Sequence, residues 1–325
     1  MDVQQQWEQD GYLVLRGAVP AEAVGAYAGD VRRLRDGLLV RRPGDDQASL
    51  AAHAEPGEAG AIDPYSISEA ARAVLLGEAA VATLTELLDG AAPLLFDATE
   101  ALAGAPEPGP YRDATYVAVS PPEALVAAAV ALGDGPVEIT VFAGSQRIAT
   151  TPFSGRYRHV NLERDGEAAL ARHRAEVAAA LATGEAAPTA LTLSPGDVLL
   201  WQADLIHEPI AGDALVAHLC PVGAQPAWFA YRPERAGRAA VGAAWIATQH
   251  YDLVDAVEPE PVEPAAPQDD EETEHELRTV EKAMRAHDDR PPDAPAAPPP
   301  APPPGRRGGG IVETVRGFMG RRGNR

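Results

Sequence analysis

Hydrophobic and polar positions alternate in two different ways along residues 1–254, helix-like at first and strand-like later. The apolar run GYLVLRGAV predicts a strand, and Pro20 then begins an amphipathic stretch, AEAVGAYAGDVRRLRDGL, that predicts a helix. Further helices are predicted at SISEAARAVLLG, where Ser66 and Ser68 are candidate caps, and at EAAVATLTELLDG. The domain is therefore expected to open with a strand and covering helices.

From about residue 93 onward, short apolar runs separated by Pro, Gly and Asp predict strands and turns. One helical stretch, GEAALARHRAEVAAALATGE, interrupts them. Helices in front of many short strands indicate an α+β domain built around a β-sandwich or barrel. The runs that predict strands are PLLFDAT, ATYVAV, EALVAAAVAL, VEITVFAG, PTALTLS, DVLLWQADL, ALVAHLCP and AWFAY.

Charge and cysteine content exclude several classes of protein. The formal charge of −21 argues against a nucleic-acid groove, because phosphate binding needs clustered lysine and arginine. The one cysteine, Cys220, excludes an intrachain disulfide and a thiolate metal cluster. The N-terminal segment lacks a signal-peptide pattern, and no apolar run has membrane-spanning length. We therefore expect a cytoplasmic protein that binds no nucleic acid.

The composition changes near residue 255, first to acidic residues and then to proline. Residues 258–276 carry nine acidic side chains and no lysine or arginine, so residues 255–325 are expected to form a disordered tail. The proline block 291–304 favours an extended spacer, with a ligand for proline-reading domains as the alternative. The basic amphipathic end, GGGIVETVRGFMGRRGNR, could contact a protein groove or an anionic membrane surface.

Several segments, taken in order, resemble the phytanoyl-CoA dioxygenase family over roughly residues 7–232. The resemblance implies a double-stranded β-helix (jelly-roll, cupin-like) core within residues 1–254. It also implies an HxD motif, a distal histidine and, on the following strand, an arginine that binds the far carboxylate of 2-oxoglutarate. The segments that carry the resemblance are GYLVLRGAVP, YRDATYV, VFAGSQR followed by TPF, SPGDVLLWQADLIH and LVAHLCP.

By this resemblance Asp113 is the carboxylate ligand of iron and His207 is the distal histidine. Tyr111 stands where the first histidine is expected, and a neutral phenol, with a pKa of about 10, is a poorer ligand for ferrous iron than imidazole. The 2-oxoglutarate arginine is expected around Gly212, where IAGD carries no cation. Arg147 is the remaining candidate for that anchor.

Several other polar residues bear on whether the chain keeps the family's site. Gln146 and Gln202 stand where the family commonly has histidines. His53 and His159 are candidate replacements for the missing imidazole, although each lies in a polar, loop-like stretch. His218 lies within an apolar strand and is interpreted as a core residue.

Two functions remain open at this point. The changes at Tyr111 and near Gly212 favour a degenerate family member whose barrel is a binding or scaffold module for a small molecule, with contacts made by the tail. The alternative is a working dioxygenase that hydroxylates a small apolar or acyl-type substrate. It would hold iron(II) on His207, Asp113 and a substitute ligand, and 2-oxoglutarate on Arg147. Iron(II) and 2-oxoglutarate are the cofactors that the resemblance implies.

Overall fold

A computed structural model describes most of residues 2–253. The predicted tail, residues 255–325, and the candidate ligand His53 lie outside the described residues. Among the helices that the structure describes, none combines the length and apolar character needed to cross a membrane. The described ranges are 2–35, 39–41, 49–50, 63–66, 68–101, 109–133, 135–210, 212–227, 237–248 and 252–253.

Six helices occur in the described ranges, four before the main strands and two between them. Asp2 caps the first helix by accepting from the backbone N–H of Gln5, and Gly11 ends it in the left-handed conformation. Ser68 accepts from Ala71 N at the start of the third, which confirms it as the predicted cap. The helices are α1 (Val3–Asp10), α2 (Ala21–Arg35), α3 (Glu69–Leu75), α4 (Glu78–Leu87), α5 (Leu162–Asp165) and α6 (Glu167–Ala182).

The strands form one large sheet and several small ones. The large sheet has seven strands. The strand that begins at Pro93 pairs in parallel with the strand that begins at Ala244, and all other pairings in this sheet are antiparallel. The strands are β1 (Tyr12–Leu15), β2 (Leu39–Arg41), β3 (Ser49–Leu50), β4 (Pro93–Ala101), β5 (Val119–Ser120), β6 (Val126–Ala131), β7 (Val137–Phe142), β8 (Pro188–Leu193), β9 (Val198–Gln202), β10 (Ala214–Pro221), β11 (Gln225–Pro226), β12 (Gly237–Val241), β13 (Ala244–Thr248) and β14 (Asp252–Leu253).

The large sheet has the order β1-β9-β6-β10-β4-β13-β12, and a smaller sheet lies opposite its centre. In the smaller sheet β7 pairs with β8 on one side and, through Val141, with His207 on the other. His207 pairs in turn with Tyr111, so this sheet has four members. The remaining pairs are β11 with β5, and β14 with β2 and β3.

Side chains along the central strands point alternately to the two faces of the large sheet, and the two faces belong to different hydrophobic cores. On β9, Val198 and Leu200 pack with the helices α1 to α4, whereas Leu199 and Trp201 pack against β7 and β8 of the small sheet. The outer core lies between the helices and the large sheet, and the inner core lies between the two sheets. Two facing sheets with covering N-terminal helices confirm the predicted α+β, double-stranded β-helix class.

The segment ATYVAV is the main local departure from the prediction. Only Val119 and Ser120 form a strand there, and residues 113–115 form a 3₁₀ turn. The turn is closed by bonds from Thr115 N to Arg112 O and from Tyr116 N to Asp113 O. The β-propensity of this segment is overridden because the chain leaves the small sheet directly after Tyr111.

The predicted strand AWFAY begins at Ala227, and its residues 228–231 lie outside the described part of the chain.

Candidate functional site: a buried aspartate surrounded by ring nitrogens

Asp113 is the centre of the buried polar cluster inside the barrel. It begins the 3₁₀ turn that follows Tyr111, and only 5% of its surface is exposed. The indole Nε1 of Trp201 donates to Asp113 Oδ2 over 2.6 Å. His207 Nε2 lies 3.2 Å from the same oxygen. The two residues that the sequence identified as residual iron ligands, Asp113 and His207, are therefore brought together.

His207 is fixed by its backbone as well as by its ring. Its N–H donates to Tyr111 O over 3.0 Å and its carbonyl accepts from Tyr111 N over 2.9 Å. On the other side it bridges to Val141 of β7. The ring is fully buried, and its Nδ1 lies 2.9 Å from the carbonyl oxygen of Glu208. This contact orients Nε2 toward Asp113.

Tyr111, which replaces the expected first histidine, packs against the ring of His207. Their ring centroids are 4.4 Å apart, with an angle of 58° between the ring planes. The opposite neighbour of Tyr111 is Tyr116, whose ring it meets edge to face at 6.0 Å. The phenol thus forms part of an aromatic row that continues from His207 to Trp201, with centroids 5.3 Å apart.

His218 joins the cluster from the opposite sheet, a position that the sequence analysis missed. It lies on β10, whose outward residues Leu215, Ala217 and Leu219 pack with the helices, so its ring points into the barrel. Its Nδ1 lies 2.7 Å from Asp97 Oδ2, and its Nε2 lies 3.4 Å from Asp113 Oδ1. The separation of 3.4 Å is within ion-pair range, but Nε2 makes no hydrogen bond to this oxygen.

His218 is buried, as its interpretation as a core residue predicts, and it also contacts two carboxylates. A signal for its role was present in the sequence. Asp97 and His218 are polar residues in two runs predicted as strands, and in the sheet they are directly paired across β4 and β10. Sequence alone does not reveal that pairing, because β4 and β10 are far apart in the chain.

Mutual charge in the cluster sets the proton affinity of its members. Burial by itself would raise the pKa of Asp113, but the charge and hydrogen bond of His207, and then the contact with His218, hold it well below its ordinary value. Burial would lower the pKa of His218, but Asp113 and Asp97 together raise it to about 10. Both nitrogens of His218 face carboxylates, so the ring is a cation at neutral pH.

The described residues do not fit the iron of the family. A ferrous oxygenase site needs two imidazoles and one carboxylate on one face of the metal. Among residues in the described ranges, no group of three His, Cys, Asp or Glu side chains is arranged to hold a metal ion. Three ring nitrogens already surround the Asp113 carboxylate, and an aromatic ring stands at the position of the first histidine. The ring of His159, a candidate replacement, is tilted against the ring of Tyr157, with centroids 5.9 Å apart.

Three polar residues that the sequence placed near the site instead hold the end of α1. Arg147 Nη1 donates to the carbonyl oxygens of Glu8 and Gln9, over 2.9 and 2.6 Å. Gln146 Nε2 also donates to Glu8 O, and Gln202 Nε2 donates to the carbonyl of Trp7. These bonds satisfy the last carbonyls of the helix and engage the Arg147 guanidinium there.

The loop before β10, where the resemblance places the 2-oxoglutarate arginine, is packed against the turn between β6 and β7. Gly212 has φ +117°, and a Cβ built on it would lie 3.2 Å from both Pro136 O and Val137 Cα. The carbonyl of Asp213 accepts from Leu132 N. A long side chain at 212 would therefore be strained. On β10 itself the cationic side chain that faces the barrel is His218.

A second polar cluster lies behind the Asp113 turn, against α6. Arg112 is buried and donates from Nη2 to the carbonyls of Ser145 and Ile148, over 3.1 and 2.7 Å. His173 of α6 lies with Nε2 3.1 Å from Thr115 Oγ1. Burial, and then the charge of Arg112, lower the pKa of His173, so this imidazole is neutral. These contacts fix Arg112, which precedes the turn, and Thr115, which is its last residue.

Comparison with solved structures finds similar folds among non-haem proteins. The epimerase SnoN from nogalamycin biosynthesis, in complex with Fe3+, alpha ketoglutarate and nogalamycin RO, is 18% identical with a TM-score of 0.46, over 68% of this chain and 83% of that one. The apo form of the non-heme monooxygenase ThoJ is 15% identical with a TM-score of 0.46, over 89% and 100%. EctD from S. alaskensis with bound Fe is 16% identical with a TM-score of 0.44, over 67% and 75%. Likeness at this level says nothing of the chemistry of this chain.

No curated protein sequence matches this chain. The family model described as Phytanoyl-CoA dioxygenase (PhyH) matches residues 7–209, which is more than half of the chain and includes Tyr111, Asp113 and His207. The chain belongs to the phytanoyl-CoA dioxygenase family.

Proposed function

We propose that this chain is a degenerate member of its family, in which the barrel serves as a binding or scaffold module and does not carry out iron and 2-oxoglutarate chemistry. The observation that carries the proposal is the set of hydrogen bonds and ion pairs around the Asp113 carboxylate. The indole of Trp201 and the imidazoles of His207 and His218 surround a carboxylate that would have to bind metal in a working site.

The environment of Tyr111 supports the same proposal. Its phenol occupies the place of an imidazole and packs on the ring of His207 at 4.4 Å. A facial triad with one ligand replaced by a poor donor loses affinity for ferrous iron, and changes to metal-supporting residues alone cost about 10- to 100-fold. The loss of a direct ligand is expected to cost at least as much.

The charge of the cluster argues against 2-oxoglutarate. The His218 cation is already flanked by Asp97 and Asp113, so it offers no excess positive charge to a dicarboxylate. Arg147, the earlier candidate anchor, donates to carbonyls at the end of α1. A dicarboxylate beside His218 would therefore lie next to the carboxylates of Asp97 and Asp113, while the Arg147 guanidinium is engaged at the end of α1.

For the module itself we propose a small-molecule ligand in the barrel, and protein or membrane-surface contacts made by residues 255–325. The first rests on the frame of the family, which keeps its two facing sheets here. The second rests on the composition of the tail, which is acidic, then rich in proline, then basic. Native mass spectrometry of the purified full chain would identify a retained small molecule by its mass.

One observation favours the alternative, a working dioxygenase. His207 Nε2 and Asp113 Oδ2 lie 3.2 Å apart, a separation compatible with two ligands on adjacent corners of one metal ion. His207 also directs Nδ1 to a backbone carbonyl, as histidines that bind metal through Nε2 commonly do. The alternative then needs a third ligand and an anchor for 2-oxoglutarate.

Anaerobic incubation of the purified protein with ferrous iron and 2-oxoglutarate distinguishes the two functions. The degenerate protein gives no metal-to-ligand charge-transfer absorption and, after addition of oxygen, no succinate. His207→Asn is the matched control, because it removes the ligand but keeps a polar side chain of similar size. Stoichiometric iron together with succinate, both abolished by His207→Asn, would establish the dioxygenase and refute the proposal.

A further inference from the structure

Two large apolar side chains are exposed among the residues that the structure describes, and both lie close to Tyr111. Tyr116 is 38% exposed and Leu162 is 47% exposed. The hydrogen bond from Val160 N to Thr115 O joins their two segments, and the ring of Tyr116 meets that of Tyr111 edge to face. Exposed apolar side chains gathered at one place, unlike scattered ones, indicate a contact surface.

Arginines accompany these apolar side chains, although the chain as a whole is strongly acidic. Residues 156–174 contain five arginines and three acidic residues, whereas the formal charge of the whole chain is −21. Arg156 and Arg158 are exposed, the latter in an ion pair with Asp204. Arg174 donates from Nη2 to the hydroxyl of the exposed tyrosine over 3.1 Å. We call Tyr116, Arg156, Arg158, Leu162 and Arg174 together the rim surface.

One segment beyond the described residues matches the rim surface in charge. Residues 269–276, DDEETEHE, contain six acidic side chains and no lysine or arginine. Arginine clusters bind acidic segments through charge-assisted hydrogen bonds, which are stronger than neutral ones. An acidic segment of the same chain is therefore a suitable occupant of this surface.

The same segment leads directly into apolar residues. Leu277, Val280 and Met284 are spaced three and four residues apart, which is the period of an apolar helical stripe. The other apolar segment of the tail, residues 311–319, contains Arg316 and is followed by further arginines. Like charges repel, so the rim surface discriminates between the two segments in favour of the acidic one.

The connection is long enough for this contact. The last described strand ends at Leu253, and Asp269 follows 16 positions later. Sixteen extended residues span at most about 55 Å, whereas a domain of about 250 residues has a radius of gyration of about 18 Å. A short tether also gives its segment an effective concentration on the order of millimolar, so weak contacts suffice.

We propose that residues 269–284 dock on the rim surface of the same chain and cover the barrel beside Tyr111. The acidic part contacts the arginines, and the apolar stripe contacts Tyr116 and Leu162. Access to the candidate site then depends on the tail, while the proline block and the basic end stay available to partners. The contact goes beyond the proposed function and holds for a binding module and a dioxygenase alike, so its test is independent.

A pair of spin labels in the full chain measures this contact. Cys220 is the single cysteine and is fully buried, and burial raises the pKa of its thiol, so introduced cysteines are labelled selectively. Nitroxides are attached at Thr279→Cys and at Ala171→Cys, an exposed position on α6. Double electron–electron resonance should give a narrow distance distribution at low salt. It should broaden in 1 M salt, where the Debye length is about 3 Å.

Matched variants test each part of the contact. Arg156→Gln with Arg158→Gln should broaden the distribution at low salt, whereas Glu163→Gln, a charge change of opposite sign on the same segment, should leave it narrow. Leu277→Ser with Val280→Ser should also broaden it. This last variant alters the tail alone, so it remains decisive if the arginine variant does not fold, which circular dichroism reports. A label at Phe318→Cys in place of Thr279→Cys should give a broad distribution at both salt concentrations.

Three results would overturn the contact. A broad distribution for the Thr279 label at low salt would mean that the segment does not dock. A narrow distribution unchanged in the folded arginine variant would place it on another surface. Loss of the narrow distribution on dilution with excess unlabelled protein would mean that the segment docks on a second copy of the chain.

Discussion

The indole N–H of Trp201 donates to Asp113 Oδ2 over 2.6 Å, inside the barrel and away from solvent. This bond joins β9 of the large sheet to the turn that follows Tyr111 in the small sheet. Trp201 is paired with Tyr12 on one side and Ala127 on the other, so its position is fixed by two strands. The carboxylate is thereby held by a rigid donor as well as by two imidazoles.

Replacing Trp201 with phenylalanine should destabilise the fold more than loss of apolar surface explains. The variant removes a hydrogen bond to a buried charged group, which is worth about 1.5–3 kcal/mol, and it also removes part of the indole from the core. Trp245→Phe is the matched control, because Trp245 is only partly buried. Urea unfolding of both variants measures the difference, and equal losses of free energy would contradict the importance of the bond.

Asp113 and His218 should be energetically coupled. Asp113→Asn leaves the His218 cation with one carboxylate partner, and breaking a buried ion pair typically costs about 3–5 kcal/mol. His218→Gln relieves the need for that partner. The double variant should therefore lose less free energy than the two single variants together, by about 0.5–3 kcal/mol. A double-mutant cycle from urea unfolding tests this, and additive losses would mean that the 3.4 Å contact carries no energy.

Gly196 should tolerate no side chain. It precedes β9 with φ +83°, and a Cβ there would lie 2.4 Å from the carbonyl oxygen of Val19. Gly184 has a similar φ of +77° with open space around it. We expect Gly184→Ala to lower the free energy of unfolding by about 1 kcal/mol, because alanine is strained in the left-handed conformation. Gly196→Ala should lower it by roughly 1–3 kcal/mol more, because its Cβ also collides with the backbone. Chemical denaturation compares the two, and similar costs would exclude the collision as a cause.

His173 should make the protein less stable in acid. Its folded pKa lies below the ordinary value of 6.5, so the unfolded chain binds a proton at pH values where the folded chain does not. Its contribution to stability is therefore present above about pH 6.5 and is lost as the pH falls below it.

The variant His173→Gln isolates this contribution, because it removes the titrating ring and keeps a polar group facing Thr115. The free energy of unfolding should fall less steeply with acidification in His173→Gln than in the unaltered chain. Urea unfolding at a series of pH values on either side of about 6.5 measures both slopes. Parallel slopes would show that His173 does not titrate on unfolding.

Much of the fold was predictable because local pattern decides it. The helices α2, α3, α4 and α6 and the strands β4, β6, β7, β8, β9 and β10 all occur where the sequence predicts them. Even the alanine-rich run EALVAAAVAL forms a strand, Val126–Ala131, whose two faces pack into different cores. ATYVAV was the exception, since hydrogen bonds within residues 112–116 close a turn in place of a strand.

The sequence by itself indicated most helices and strands through their hydrophobic period, and its ordered motifs indicated the family. The resemblance to that family then implied the double-stranded β-helix and the proximity of Asp113 to His207. The tertiary structure decided the rest of the cluster. Asp97, Trp201 and His218 reach Asp113 from strands that are distant in the chain, and the register of those strands sets every contact. A strand's partners are chosen by the whole sheet, so no local pattern could report that a buried cation stands beside Asp113.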